Sequence, residues 1–379
     1  MTRVMTGPLV AVLALGCMAA TLGCDEKKSS ESAPSLDASA ASDKYATADP
    51  KLEKALQAVA SAMPPNDNGP PPDGIFAPGV ADKRHPKGAP TTVEVLSDGA
   101  EPRVTLNDAA PDAVRVSSYG PAALELAVQL GPRQAFPTVD FSLLFGPAKK
   151  DDGGNDWLVA EAKKTALAQD QLGDMQPGTD QVVATLQGSQ LRIKVGADGC
   201  ESDLQVIPGK GTPASLSRLS QAAAELLVFS TVPLPNKPVG AGAQWIAESR
   251  MTLSEMEVIA YRAIKVKSIE GNRLHLSLDV KAYATSPDIT MPEVPKGATL
   301  QQVDVQGQGE MELVRGEILA RKSQVQQRVV MVFSAPPGTQ PPGADPGQPP
   351  PKGPATLTGQ TMSQATFVRG EDLRALKSH

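Results

Sequence analysis

The stretch from Arg273 to Ala282 constrains this chain more than any other. Leu274, Leu276, Leu278, Val280 and Ala282 face one way in an extended chain, while Arg273, His275, Ser277, Asp279 and Lys281 face the other. Successive side chains of a strand point to opposite faces, so strict period two means one buried face and one wet face. The pattern recurs on both sides. Met256, Val258 and Ala260 lead into Ile264 and Val266, and Gly271-Asn272 turns the chain into the leucine strand. Val303, Val305, Met311 and Leu313 alternate with Asp304, Gln306, Gln308, Glu310 and Glu312. A turn at Arg315-Gly316 leads into a strand over Ile318 to Phe333. These runs reach about ten residues or more, beyond the usual five or six.

The first half carries shorter runs of the same kind. Val93 and Val95 precede Asp98-Gly99, a hairpin signal, and Val104 and Leu106 resume after it. Val114 and Val116 follow, then Leu124, Leu126, Val128 and Leu130, then Val139, Phe141, Leu143 and Phe145. Leu191, Ile193 and Val195 turn at Asp198-Gly199 and return through Leu204 and Val206. Phe367 and Val368 belong to a last strand.

Helical spacing is rarer. Leu52, Leu56, Val59 and Met63 mark a helix from Pro50, capped by Asp49. A short helix spans Thr179 to Leu186 and stops at Gly188. The clearest lies near 212–229: Thr212 as cap, Pro213 at the first position, and Leu216, Leu219, Ala223, Leu226 and Leu227 as the apolar face.

Together these elements predict a mainly β (α+β) fold: a long antiparallel meander forming a curved sheet or incomplete barrel, with the 212–229 helix packed on it. Residues 49–90 form a helix and a Pro/Gly-rich linker, and 91–379 the β-rich domain. Two lobes, 91–207 and 238–379, joined by the helix, are the alternative. Residues 335–355 are Pro- and Gly-rich and predict an exposed loop of polyproline character.

Chemistry-bearing motifs are sparse. His85 sits in the basic Lys83-Arg84-His85-Pro86-Lys87, His275 on the polar face of a strand, and His379 at the C-terminus. None has a Cys, Asp or Glu at metal-ligand spacing. No Gly-x-Ser-x-Gly elbow occurs. Gly209-Lys210-Gly211-Thr212 lacks the upstream glycine and Lys-Ser/Thr pair of a phosphate loop and reads as a turn before a helix. Asp151, Asp152, Asn155 and Asp156 around Gly153-Gly154 fail the register of a calcium loop. We therefore assign no catalytic residue, metal or cofactor, and expect no enzyme. A net charge of −6 argues against nucleic acid, which calls for a basic face. Aromatic residues are only 3% of the chain, which weakens a sugar-stacking role.

The N-terminus specifies location. Residues 1–23 hold one charge, Arg3, and an apolar run from Pro8 to Leu22, too short for a confident span and suited to an export signal. Thr21-Leu22-Gly23-Cys24, followed by Asp25-Glu26-Lys27-Lys28, resembles a bacterial lipoprotein signal in which the cysteine is lipidated. Cys17, after Ala14-Leu15-Gly16, is the other candidate, but it would leave Met18 to Leu22 as an apolar stub. The resemblance implies a palmitate-type anchor at Cys24, a flexible tether over 24–48 and a domain in the periplasm or at the cell surface, held to the inner or outer membrane. With Cys24 lipidated, Cys200 is the one free cysteine after the leader, so no internal disulfide is expected.

The segment from Pro233 to Trp245, with Leu234-Pro235, Pro238-Val239, Gly242 and Trp245 ahead of long strands, resembles an uncharacterised β-rich domain of bacterial envelope lipoproteins. That implies a non-enzymatic binding or accessory role, with an envelope protein or a lipid as partner beyond the membrane. A curved sheet with a helix lid also resembles the carriers that ferry lipids or lipoproteins across the periplasm. In that reading Leu216, Leu219, Leu226 and Leu227 form a hydrophobic ligand face, and an oversized apolar pocket is the mark to look for.

Overall fold

The computed structural model describes residues 71–106, 117–131, 134–147, 157–168, 178–194, 204–288, 291, 294–339 and 353–373. The leader, Cys17, Cys24, the tether, the 50–63 helix, Val114, Val116, the 151–156 cluster, Cys200 and His379 lie outside the described residues.

Thirteen strands form one antiparallel sheet among the described residues. They are β1 (Thr92–Ser97), β2 (Gly120–Leu130), β3 (Gln134–Ala135), β4 (Val139–Pro147), β5 (Trp157–Leu167), β6 (Gln190–Lys194) and β7 (Leu204–Ile207) in the first half. The second half supplies β8 (Gln244–Leu253), β9 (Met256–Glu270), β10 (Arg273–Ala284), β11 (Thr299–Val314), β12 (Lys322–Ala335) and β13 (Ala355–Arg369). The order is β1-β8-β9-β10-β11-β12-β13-β2-β4-β5-β6-β7, with the short β3 on β2, and the sheet does not close. The structure is thus mainly β with a long meander, as the alternation predicts. The two halves are continuous, because β13 pairs with β2 from Thr361↔Leu130 to Arg369↔Ala122.

The alternation holds in detail. Leu274, Leu276, Leu278, Val280, Ala282 and Ala284 of β10 are buried while the residues between them are half-buried. Gly271-Asn272 closes a two-residue hairpin, with Arg273 opposite Glu270. Three α-helices accompany the sheet among the described residues: α1 (Val80–Arg84), α2 (Thr179–Ala184) and α3 (Ala214–Phe229).

Several expectations need correction. Asp98-Gly99 starts no hairpin. The backbone of Asp98 to Val104 instead bonds the Val239–Ala241 segment: the Gly240 amide donates to the Asp98 carbonyl at 2.8 Å, and Val104 and Val239 exchange two bonds at 2.9 Å. A Cβ at Gly240 would lie 1.7 Å from the Ala100 carbonyl oxygen, so this crossing requires glycine. Thr212 does not cap α3. Its hydroxyl donates to the Thr185 carbonyl at 2.7 Å, and Pro213 is the N-cap in extended conformation. The segment after Arg315-Gly316 is a loop before β12 begins at Lys322, with Leu319 bridged to Thr231 after α3. Strand β5 was not anticipated. Lys163 is an extra residue in it, since Ser142 faces Lys164 and Leu143 faces Ala162, and this bulge breaks the alternation.

The core lies between the sheet and α3, which contacts β2, β6, β7, β12 and β13. From Ala223 to Ser230 every residue is buried. A helix apolar all round belongs inside a core. Its C-terminal end is tied down by polar groups. Ser230 Oγ and Ser323 Oγ lie 2.6 Å apart, and the Ala320 amide donates to the Ser230 carbonyl at 2.9 Å. The fully buried Arg262 of β9 directs Nη1 at the carbonyls of Val228 and Thr231, 3.5 and 3.4 Å away. A cation there complements the negative end of the helix dipole. Nearby, buried Arg369 donates to Glu317 and, at 2.7 Å, to the Leu319 carbonyl, while Arg321 shares Glu317. Trp245 is fully buried, and its indole N–H donates to the Pro233 carbonyl at 2.8 Å, which fixes the entry into β8.

On the sheet's opposite face, Phe76 and Ala81 pack on Ile246, Ile259, Tyr261 and Ala263. This covers β8 and β9 on both sides and explains why β9 is buried without alternation from Val258 to Ile264.

Candidate functional site

One face of α3, from Arg218 to Glu225, departs from the packing of the rest. Arg218, Gln221, Ala222 and Glu225 recur at helical spacing and face a cleft of about 290 Å³. The other wall comes from Val128 and Leu130 of β2, Met331 and Phe333 of β12, and Leu357 of β13. Met291, Val294 and Pro295 close one side, and the Ser254-Glu255 turn between β8 and β9 another. The lining is mostly apolar. The space is an open cleft and not an enclosed void, and its volume approaches the lower end of the range for small-molecule sites. Its origin is local. Along β13 the inward positions run Leu357, Gly359, Thr361 and Ser363, and the burial that marks both ends of the strand lapses over Gly359–Met362. Small side chains on β13 across the cleft from this face of α3 leave the room.

Leu216, Leu219, Leu226 and Leu227 are not the lining. All four are buried in the main core and are not among the described residues that line the cleft. The cleft lies on the adjacent face of the same helix.

Glu225 gives the cleft its chemistry. It is 3% exposed and sits within the apolar run from Ala222 to Leu227. Its Oε1 accepts from Gln221 Nε2 at 3.0 Å and from the Ser254 amide at 2.6 Å. Burial pushes the carboxyl up to about 7 against the pull of these donors, and the nearby Glu255 raises it further. The Gln327 amide is close enough to favour the ionised form, although its Nε2 has no hydrogen-bond partner among the described residues. Ser254 and Glu255 have φ of 47° and 63°, so both turn residues are left-handed without being glycine. Hairpin turns of this kind favour Asn-Gly, and the strain is of order 1–3 kcal/mol per residue. The bond from Glu225 holds that turn at the cleft's edge. The one sequence signal for this arrangement was a lone acid inside an apolar helical run.

A second, polar cleft of about 210 Å³ is lined by Lys87, Thr91, Ser249, Arg250 and Glu257 among others. Its charges are largely satisfied internally: Arg250 donates to Asp82 at 2.6 Å and to Glu257 at 2.7 Å, and Lys87 lies 3.5 Å from Glu257. His85 is buried, with Nδ1 3.8 Å from Glu248, and His275 is part-exposed, 3.8 Å from Glu270. No group of three or more His, Cys, Asp or Glu converges among the described residues.

The fold and site therefore define one antiparallel sheet around a buried helix, with an apolar cleft beside that helix and a carboxyl in its wall. No protein-family model matches the chain, and neither does any curated protein.

Proposed function

We propose that this chain is a lipid-anchored bacterial envelope protein that binds a hydrophobic ligand in the cleft beside α3, without acting as an enzyme. The observation that carries the binding role is the cleft itself: about 290 Å³ of mostly apolar space beside α3. A preformed apolar concavity with few polar groups is the usual form of a small-molecule site. The size favours a single chain or small ring system. An engineered cavity of roughly 150 Å³ takes one benzene, and this one is about twice that. The anchor rests on the resemblance of Thr21-Leu22-Gly23-Cys24 to a lipoprotein signal, and anchoring at Cys24 would hold the cleft near its source of amphiphiles.

The test is titration of N-phenyl-1-naphthylamine into the whole mature chain carrying Cys24→Ser, so that no acyl group competes. Ala222→Trp places an indole in the cleft from a position that is only half-buried. The reading expects saturable fluorescence enhancement in the parent and its loss in Ala222→Trp, with the thermal midpoint little changed. Equal enhancement in both places the dye elsewhere and contradicts the reading.

A further inference from the structure

The polar groups of the cleft select among amphiphiles. Glu225 is an acceptor in the wall of an apolar space, and both of its described donors, Gln221 Nε2 and the Ser254 amide, bond the same oxygen, Oε1. Gln327 of β12 also faces the carboxyl, with its Nε2 outside hydrogen-bond distance, so a donor on the ligand would compete with that amide alone for the remaining acceptor capacity. Glu255, on the turn, is a second carboxylate on the lining, and Arg218 is the one cation among the described lining residues. Arg218 is moreover already engaged within the protein. The neutral polar groups facing Glu225 are Gln221 of α3, Ser254 of the turn and Gln327 of β12. Thr358, Gln360, Thr361 and Ser363 of β13, which can donate as well as accept, also line the cleft. The charge balance of the described lining is therefore acidic, two carboxyls against one guanidinium.

We propose that the cleft takes one aliphatic chain whose polar end is a hydrogen-bond donor, a primary ammonium before a hydroxyl, and that this end bonds Glu225. The proposal rests on the binding role argued above and adds the head-group class. An ammonium would pair with the carboxylate in a water-poor setting, where charge-assisted bonds are the strong ones. A hydroxyl would donate to it. A fatty acid would instead bring a second carboxylate against Glu225 and Glu255, and like charges at close range disfavour each other's ionised form. The raised affinity of Glu225 for a proton is consistent with a carboxyl whose natural partner arrives with the ligand.

The experiment is displacement of bound N-phenyl-1-naphthylamine from the Cys24→Ser chain by dodecylamine, dodecanol and dodecanoate, all below their micellar concentrations at neutral pH. A bond to a charged group contributes about 1.5–3 kcal/mol, so dodecylamine should compete roughly tenfold or more better than dodecanoate, with dodecanol between. Glu225→Gln keeps an acceptor for the Ser254 amide while removing the charge, and it should bring dodecylamine level with dodecanol. Dodecanoate competing as well as dodecylamine overturns the proposal, and so does an amine advantage that survives Glu225→Gln. Dye that binds but yields to none of the three overturns the single-chain assignment. Dye that never binds removes the binding role itself, a failure distinct from that of the head-group preference.

Discussion

Replacing Glu225 with glutamine should stabilise the protein at neutral and alkaline pH, against the usual expectation for a buried hydrogen-bonded residue. The carboxyl titrates near 7 in the fold against 4.5 for the ordinary side chain. The direction follows from proton counting. As pH rises from the lower value, the unfolded chain gives up its proton while the folded chain keeps it until about 7, so stability falls through that window and the full cost is present above it. Two and a half pH units correspond to about 3 kcal/mol, and the part falling between about pH 5.5 and pH 8 is about 2 kcal/mol. The amide that replaces the carboxyl retains an oxygen for the Ser254 amide and Gln221, so the other bonds at this position persist. Urea denaturation at the two pH values measures the effect. The wild type should lose about 2 kcal/mol more than the variant between them, with the variant the more stable at the higher pH. Parallel losses in the two proteins would refute the claim that Glu225 is buried with a raised pKa, and with it the electrostatic picture of the cleft.

Four other outcomes are expected. Glu317→Ala leaves Arg369 charged and buried without its carboxylate, which should cost about 3–5 kcal/mol in urea denaturation. Trp245→Phe removes the indole bond to the Pro233 carbonyl and leaves a smaller ring in a fully buried site, a loss of about 1–3 kcal/mol by the same assay. Ser254→Gly relieves one left-handed turn residue while keeping the backbone amide that Glu225 needs, and should be neutral or stabilising by thermal melting. Cys24→Ser in the full-length precursor should move the protein from the membrane to the soluble fraction on fractionation, and an unchanged distribution would redirect attention to Cys17.

The sheet was legible where burial alternates and hairpins use ordinary turn residues. Strands β10 and β11 follow the pattern of their leucines and valines, and Gly271-Asn272 announces its own turn. Strand β5 was not legible, because the bulge at Lys163 shifts the register midway and leaves two adjacent lysines exposed. The β8–β9 turn was equally silent: Ser254-Glu255 carries no glycine, and its backbone is held by a carboxyl 29 residues away in sequence. The cleft was less legible for a related reason. Helical periodicity correctly marks the apolar face of α3, but the most apolar positions are those the sheet packs against. Space is left where partners are small, at Gly359, Thr361 and Ser363, and that depends on which strand lies opposite which turn of the helix. Long-range pairing of this kind, such as β13 against β2, is not encoded in any local window.

Native mass spectrometry of the Cys24→Ser chain, exported to the periplasm and purified without detergent, tests the central claim most directly. The account predicts a population carrying one small amphiphile, released on gentle activation and absent from Ala222→Trp. A parent chain that is uniformly empty and stays so after incubation with single-chain amphiphiles would contradict it.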